Sequence, residues 1–250
     1  MAVKPTLLLI DVQRAFDDPG WGPRNNTDAE SRVAELLAAW REAGAPVFHV
    51  RHRSVEADGL FRDGGFEFKP EAMPVEGEPV LEKTVNNGFV GTDLERRLRA
   101  ADAHTVVVAG LTTDHCCSTT ARMASDLGFE VWFLADATAT HAREVPGGRQ
   151  FDPETAHESA LASLSDEFAE IVDSAAAVSR LQEAHARVRP EERPAERGGG
   201  GGRPVASAEL DDVRALVGRE AAPRAREQHD AGEATDFRPR RWMPRLACRS

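Results

Sequence analysis

The stretch HTVVVAGLTTDHCCSTTARMASDL, His104 to Leu127, decides how the rest of the chain is read. Thr105 to Ala109 is a short continuous apolar run rich in Val, the composition of a strand buried on both faces of a parallel sheet. Gly110-Leu111-Thr112-Thr113 reads as a tight turn. A helical pattern starts near Asp114 and sets Ala121, Ala124 and Leu127 at helical spacing, with Thr113 or Asp114 as its N-cap. Cys116 then falls in the first helical turn, just past the carboxyl end of a strand. Backbone N–H groups there lack intrahelical partners and the helix dipole favours negative charge, which biases a thiol toward thiolate. The alternative is that Cys116 and Cys117 are two small buried residues, as free cysteines often are. This stretch alone leaves both open.

Outward from it, the chain alternates strand and helix. Thr6 to Ile10 predicts a buried strand ending at Asp11. Asp28 to Ala43 predicts an amphipathic helix with Val33, Leu36, Leu37 and Trp40 on one face and Gly44 past its end. Pro46 to Val50 is a second strand, and Pro79 to Thr84 a short extended piece ending at Lys83. Residues 51–79 are rich in Gly and Pro, but Leu60, Phe61, Phe66 and Phe68 mark them as a long packed loop with a functional role. Thr92 to Ala101 is a helix capped by Thr92. Glu130 to Leu134 is a strand ending at Asp136, Pro153 to Leu164 a helix, and Phe168 to Val172 a last strand. This alternation predicts a three-layer α/β/α fold around a mostly parallel sheet.

Charge and composition bound the function. Residues 1–179 carry 16 Lys and Arg against 30 Asp and Glu, a net charge of −14, while residues 180–250 carry 15 against 12, a net of +3. The acidic body argues against a nucleic-acid surface. The three cysteines, two of them adjacent, make no disulfide framework, so a reducing cytoplasm is expected. Apolar runs are too short for a membrane span, and Leu7 to Ile10 is too short for a signal-peptide core. After about Val178 the composition turns to Arg, Glu, Pro, Ala and the run Gly198 to Gly202. The expected organisation is one domain over residues 1–180 and a flexible Gly/Arg/Pro-rich tail over 181–250, with Ser207 to Arg219 able to form one short helix.

Ligands of open α/β sheets sit at the carboxyl ends of the strands. Asp11, Lys83 and Cys116 all fall at such ends, and an acid, a cation and a thiol converging there form a nucleophile with its base and electrostatic partner. The competing readings are a turn-forming aspartate and a solvated surface lysine. Against the latter, the chain has only three lysines, Lys4, Lys69 and Lys83, beside 28 arginines. A lysine kept among arginines fits a need for a compact point charge.

Three ordered motifs, LLLIDVQ at 7–13, EKTVNNGFVGTDL at 82–94 and AGLTTDHCCSTTARMASDLGFEV at 109–131, resemble the isochorismatase-like cysteine hydrolase superfamily over roughly residues 5–178, in the branch that contains streptothricin hydrolase. The resemblance implies a catalytic triad of Asp11, Lys83 and Cys116. Cys116 is favoured over Cys117 because Thr113-Asp114-His115-Cys116 matches the family's Thr-Asp-x-Cys. A cis peptide between Leu111 and Thr112 is implied in the same way. On this basis Asp11 is the general base, Lys83 offsets the repulsion between Asp11 and the Cys116 thiolate, and the N–H groups of Thr112 and Cys116 hold the oxyanion. The expected reaction is hydrolysis of an amide or lactam through a thioester.

Histidines are weighed as rival bases. His115 is poorly aimed, as adjacent helical residues diverge by about 100°; His141 lies past a strand end, and His157 on a helix face. Family nicotinamidases bind a metal through Asp-x-His after the second strand, where this chain reads His49-Val50-Arg51-His52-Arg53. No metal and no other cofactor are therefore expected. Gln13, Phe16, His52 and Phe89 are candidates for the substrate pocket, with Trp21 and Phe66 as further possible walls. The expected partners are a small-molecule substrate and further copies of the chain in a homodimer or higher homo-oligomer. The alternatives are an isochorismatase, a nicotinamidase-type amidase, a redox thiol protein using Cys116 and Cys117, and a catalytically silent scaffold.

Overall fold

The computed structural model describes residues 4–188. In chain order the strands are β1 (Thr6–Ile10), β2 (Val47–His52), β3 (Val80–Lys83), β4 (Thr105–Leu111), β5 (Glu130–Ala139), β6 (Arg143–Glu144), β7 (Gln150–Phe151) and β8 (Glu170–Val172). The helices are α1 (Ala29–Ala43), α2 (Leu94–Ala100), α3 (Ser118–Asp126), α4 (Pro153–Leu164) and α5 (Ser174–Val188). Six strands form one sheet in the order β3-β2-β1-β4-β5-β8, and every pairing in it is parallel. β6 and β7 form a separate antiparallel hairpin.

The strict alternation of β1 explains the layers. Leu8 and Ile10 join Val106, Val108, Leu94, Leu98, Ala121 and Ala124 on one face. Leu7 and Leu9 join Val107, Val33, Leu36, Leu37, Trp40 and Leu181 on the other. Such fully buried apolar side chains each contribute about 1.5–3 kcal/mol. α1 ends at Gly44, which adopts the left-handed conformation (φ 57°) and donates its N–H to the Arg41 carbonyl. Phe61, Phe66 and Phe68 are buried, so the long loop is packed as expected.

Several expectations need correction. β5 does not end before Asp136. It bulges where the register to β4 shifts between Val108 and Gly110 and continues to Ala139. Asn26 Nδ2 donates to the carbonyls of Ala135 and Thr138, both at 2.7 Å, which satisfies the bulged backbone. Asp136 accepts from the N–H and hydroxyl of Ser174 at 2.8 and 2.6 Å, at the start of α5. Asp93 occupies the N-cap position of α2 without a side-chain cap bond, and the Thr92 hydroxyl accepts from Leu94 N–H at 3.3 Å instead. Residue 180, where the composition changes, lies within α5, and Ala177 and Leu181 of that helix are buried. The expected helix at Ser207 to Arg219 and the run Gly198 to Gly202 lie outside the described residues. No helix among the described residues is long and apolar enough to cross a membrane.

Candidate active site

Parallel register brings the three candidate residues together. Ile10 pairs with Gly110 and with Val50, and His52 pairs with Lys83, so the carboxyl ends of β1, β2, β3 and β4 open on one edge. Gly110 permits this approach: at φ +128° a Cβ there would stand 2.0 Å from the Ile10 carbonyl oxygen. Asp11 leaves β1 with φ 53°, a conformation Asp tolerates better than most residues.

Lys83 is buried, and its Nζ stands 2.5 Å from Asp11 Oδ2, 3.4 Å from Cys116 Sγ and 3.4 Å from His52 Nδ1. Asp11 is also buried, and its second oxygen, Oδ1, accepts no hydrogen bond among the described residues. Burial alone would disfavour the lysine charge, but Asp11 and Cys116 outweigh it and hold the Lys83 pKa above its ordinary value. The Cys116 thiol is pushed up, first by burial and then by the Asp11 carboxylate, with Lys83 opposing. Burial and the carboxylate therefore act against the bias toward thiolate expected from the helix start. Cys117 is fully buried in the core, and its thiol is likewise raised by burial.

Cys116 also does not sit in an ordinary first helical turn. Thr113–Cys117 form a π-helical turn ahead of α3, with Thr112 and not Thr113 or Asp114 in the N-cap position. The Thr112 carbonyl accepts from the N–H groups of His115 and Cys117 at 3.3 and 3.2 Å. The Leu111–Thr112 peptide is cis, as expected. Asp114 faces away from the thiol: it accepts from Arg143 Nε at 2.5 Å, Arg143 Nη2 at 2.9 Å and Thr140 Oγ1 at 2.6 Å. Burial would raise its pKa, but these partners and His115 hold the carboxyl below the usual range.

The other candidates divide. His52 stands at the site, edge-on to Phe61 at 5.0 Å; burial and then the Lys83 charge lower its pKa, which favours the neutral ring. Phe16 packs against Trp21 at 5.2 Å and Phe61 at 5.1 Å, in a cluster that includes Leu111 and so walls the cis turn. Gln13 is buried with its whole amide engaged. Its Nε2 donates to the carbonyls of His52 and Phe66, both at 3.0 Å, and its Oε1 accepts from His52 N–H at 2.7 Å. These contacts tie the end of β2 and the long loop to the segment after β1. Phe89 packs on the core and stacks near Phe129 at 6.5 Å, and Phe66 lies beneath the guanidinium groups of Arg51 and Arg53.

None of the rival histidines reaches Cys116. His115 Nε2 lies 3.8 Å from Asp114 Oδ2, His141 Nδ1 stands 3.3 Å from the Gly22 carbonyl oxygen, and His157 Nδ1 stands 2.9 Å from Thr113 Oγ1. His49 is buried with its Nε2 2.8 Å from Glu78 Oε2. Among the described residues, no three His, Cys, Asp or Glu side chains converge to hold a metal ion. Two features were not singled out in the sequence. Asn86 Oδ1 accepts from the Cys116 thiol at 3.7 Å, and its only signal is its place three residues after Lys83 in TVNNGF. Arg143 carries no motif signal.

A buried acid, a buried lysine and a half-buried cysteine meet at the carboxyl edge of the α/β sheet, an arrangement suited to nucleophilic hydrolysis. The Isochorismatase domain matches residues 5–176, and the chain belongs to the isochorismatase family. An isochorismatase family protein of Bacillus subtilis is 42% identical over 174 residues, 69% of this chain and 93% of the relative. A streptothricin hydrolase of Streptomyces noursei is 34% identical over 186 residues, 71% of this chain and 72% of the relative. A solved isochorismatase-family hydrolase from Chromobacterium violaceum superposes with a TM-score of 0.70 at 43% identity, covering 72% of this chain and 94% of the other. Amidohydrolases are among the further relatives.

Proposed function

We propose that the chain is a cysteine hydrolase that cleaves a C–N bond of a small amide or lactam through a thioester, without a metal. The observation that carries this reading is the contact of the buried Lys83 with both Asp11 and Cys116, at 2.5 and 3.4 Å. Asp11 takes the Cys116 proton as the sulfur attacks the carbonyl carbon, so the thiolate forms only as it is consumed. This suits a thiol whose pKa is raised by burial and by the Asp11 carboxylate. Lys83 keeps two adjacent negative groups tolerable during that transfer. The oxyanion takes the N–H groups of Thr112 and Cys116, a contribution of about 3–4 kcal/mol per donor. The C–N bond breaks, the nitrogen leaves with the proton held on Asp11, and water then hydrolyses the thioester to an acid and the free thiol. Kinship with streptothricin hydrolase supports a cyclic amide among the candidates. Reduced thiols in this mechanism agree with a cytoplasmic setting.

The test is a panel of amides, lactams and ureas, with a strong chelator present throughout, read as amine release. Turnover that survives chelation and disappears in Cys116→Ser is the expected result. Turnover that persists in Cys116→Ser, or that needs added metal, would sink the reading.

A further inference from the structure

We infer that Arg143 is a positioning residue for the oxyanion turn. The inference rests on the reading of Cys116 as nucleophile and of Thr112 as an oxyanion donor. Arg143 begins β6, outside the main sheet, and its guanidinium forms a two-pronged pair with Asp114, Nε to Oδ2 at 2.5 Å and Nη2 to Oδ1 at 2.9 Å. The same Nη2 reaches Thr140 Oγ1 at 3.1 Å and Thr112 Oγ1 at 3.4 Å. Thr140 Oγ1 closes the ring by donating to Asp114 Oδ1 at 2.6 Å. One guanidinium therefore grips the residue after the cis peptide and the residue two before the nucleophile. Those two positions are the start and the middle of the segment Thr112 to Cys116, whose first and last backbone N–H groups are the proposed oxyanion donors.

A planar fork suits this task, because it holds a carboxylate in a defined orientation while a spare N–H reaches a third partner. The setting is partly buried: the Arg143 and Asp114 side chains keep 25% and 16% of their surface exposed. Solvent therefore screens the pair only in part. The hydrogen bonds of Arg143 go to Asp114, Thr112 and Thr140, and not to Asp11, Lys83 or Cys116. Its loss should spare the thiol's own reactivity and loosen the N–H groups that must meet a developing oxyanion.

Two probes separate these effects without a known substrate. Iodoacetamide alkylates Cys116 at sulfur with no oxyanion formed. Benzaldehyde adds the thiol reversibly to give a hemithioacetal; the S–C bond forms, and the former carbonyl oxygen takes the oxyanion position and the thiol proton. The experiment measures Cys116 alkylation by mass spectrometry, and its protection by benzaldehyde, in the full chain, Arg143→Met, Arg143→Lys and Thr112→Val. The expected result is alkylation within about twofold of the parent in all variants. The benzaldehyde concentration for half-protection should rise on the order of tenfold in Arg143→Met, a fraction of the loss of a whole oxyanion donor. Smaller rises should follow in Arg143→Lys, which keeps charge without the fork, and in Thr112→Val, which removes one hydroxyl at constant shape. Equal protection in parent and variants overturns the inference, as does an alkylation rate that falls together with protection. Failure of benzaldehyde to protect the parent chain overturns the reading of the site itself, and the inference with it. Should Arg143→Met not fold, Thr112→Val carries the same comparison.

Discussion

Lys83 is where residue-level physics constrains the site most. A buried cation touching a carboxylate, a sulfur and an imidazole within 3.4 Å has no room for a larger head. Lys83→Arg keeps the charge but brings a planar group that cannot occupy a point between Asp11 and Cys116. Turnover should fall roughly a hundredfold or more, the scale of losing a preorganised electrostatic contact. Iodoacetamide labelling of Cys116 should slow in parallel, because the thiol loses the cation that opposes the pull of burial and Asp11. A Lys83→Arg variant with near-normal labelling and turnover would remove Lys83 from the mechanism. Cys117 makes the control. It is fully buried in the core, so Cys117→Ser should keep most activity and lose some stability through an added buried hydroxyl. An inactive Cys117→Ser beside an active Cys116→Ser would shift the nucleophile by one residue. At this scale Asp11, Lys83 and Cys116 could be placed at strand ends from the sequence: Asp11 after the apolar run Thr6 to Ile10, Lys83 at the end of a short extended piece, and Cys116 past the turn that follows Thr105 to Ala109. Arg143 and Asn86 were not legible, because their roles arise from contacts 29 and 30 residues away in sequence.

Elements were legible where burial imposes a period. β1, β4 and α1 announced themselves by continuous Leu and Val or by a 3.6-residue stripe, and the carboxyl-edge site followed from their parallel order. The π-helical turn at Thr113–Cys117 was not legible, since its first residues carry ordinary capping types and no periodicity separates it from α-helix. The hairpin of β6 and β7 is two residues per strand, too short for any alternation to show. α1 offers a test of how the elements are tied together. Glu30 in its first turn accepts from Arg24 Nη1 at 2.6 Å and from Lys69 Nζ at 2.7 Å, and Lys69 also binds Asp17 at 2.6 Å. Burial opposes the Glu30 charge, but these cations overcome it and lower its pKa to about 2 from an ordinary 4.5. A folded pKa below the unfolded one means stability that is fully present above about pH 4.5 and is lost as pH falls toward 2. The full shift corresponds to roughly 3 kcal/mol, which solvent screening reduces to about 1–2 kcal/mol at this part-exposed pair. Glu30→Gln should therefore lower the stability in denaturant at pH 7 by that amount. The gap from the parent should narrow steadily between pH 4.5 and 2. A gap that is constant or widens on acidification would show that Glu30 acts through packing and not through its charge.

For the molecule as a whole, the question is where the catalytic unit ends. Composition alone put the change near residue 180, because Arg, Glu and Ala dominate from there on. That reading undervalued SAAAVSRLQEAHARV, in which Ala, the strongest helix former, alternates with Ala177 and Leu181 four residues apart on one face. α5 runs Ser174–Val188. Ala177 and Leu181 are fully buried with Leu36, Leu37 and Leu134. Arg180 pairs with Glu170 at 2.6 Å and lies over the Trp132 ring at 4.9 Å. We propose that the catalytic unit runs to Val188 and that residues 189–250 are dispensable for it. Two truncations decide between the boundaries. A chain cut after Val188 keeps Ala177 and Leu181 in the core and should match the full chain in melting temperature and in Cys116 labelling. A chain cut after Arg180 loses Leu181 and half the helix. Removing one fully buried leucine costs about 2–5 kcal/mol, a large part of the 5–15 kcal/mol that holds an ordinary domain. The shorter chain should melt well below the longer one or aggregate. Equal melting of the two would show that α5 beyond residue 180 adds nothing to the core. A longer truncation that fails to fold while the full chain folds would place part of the stabilising contact in residues 189–250.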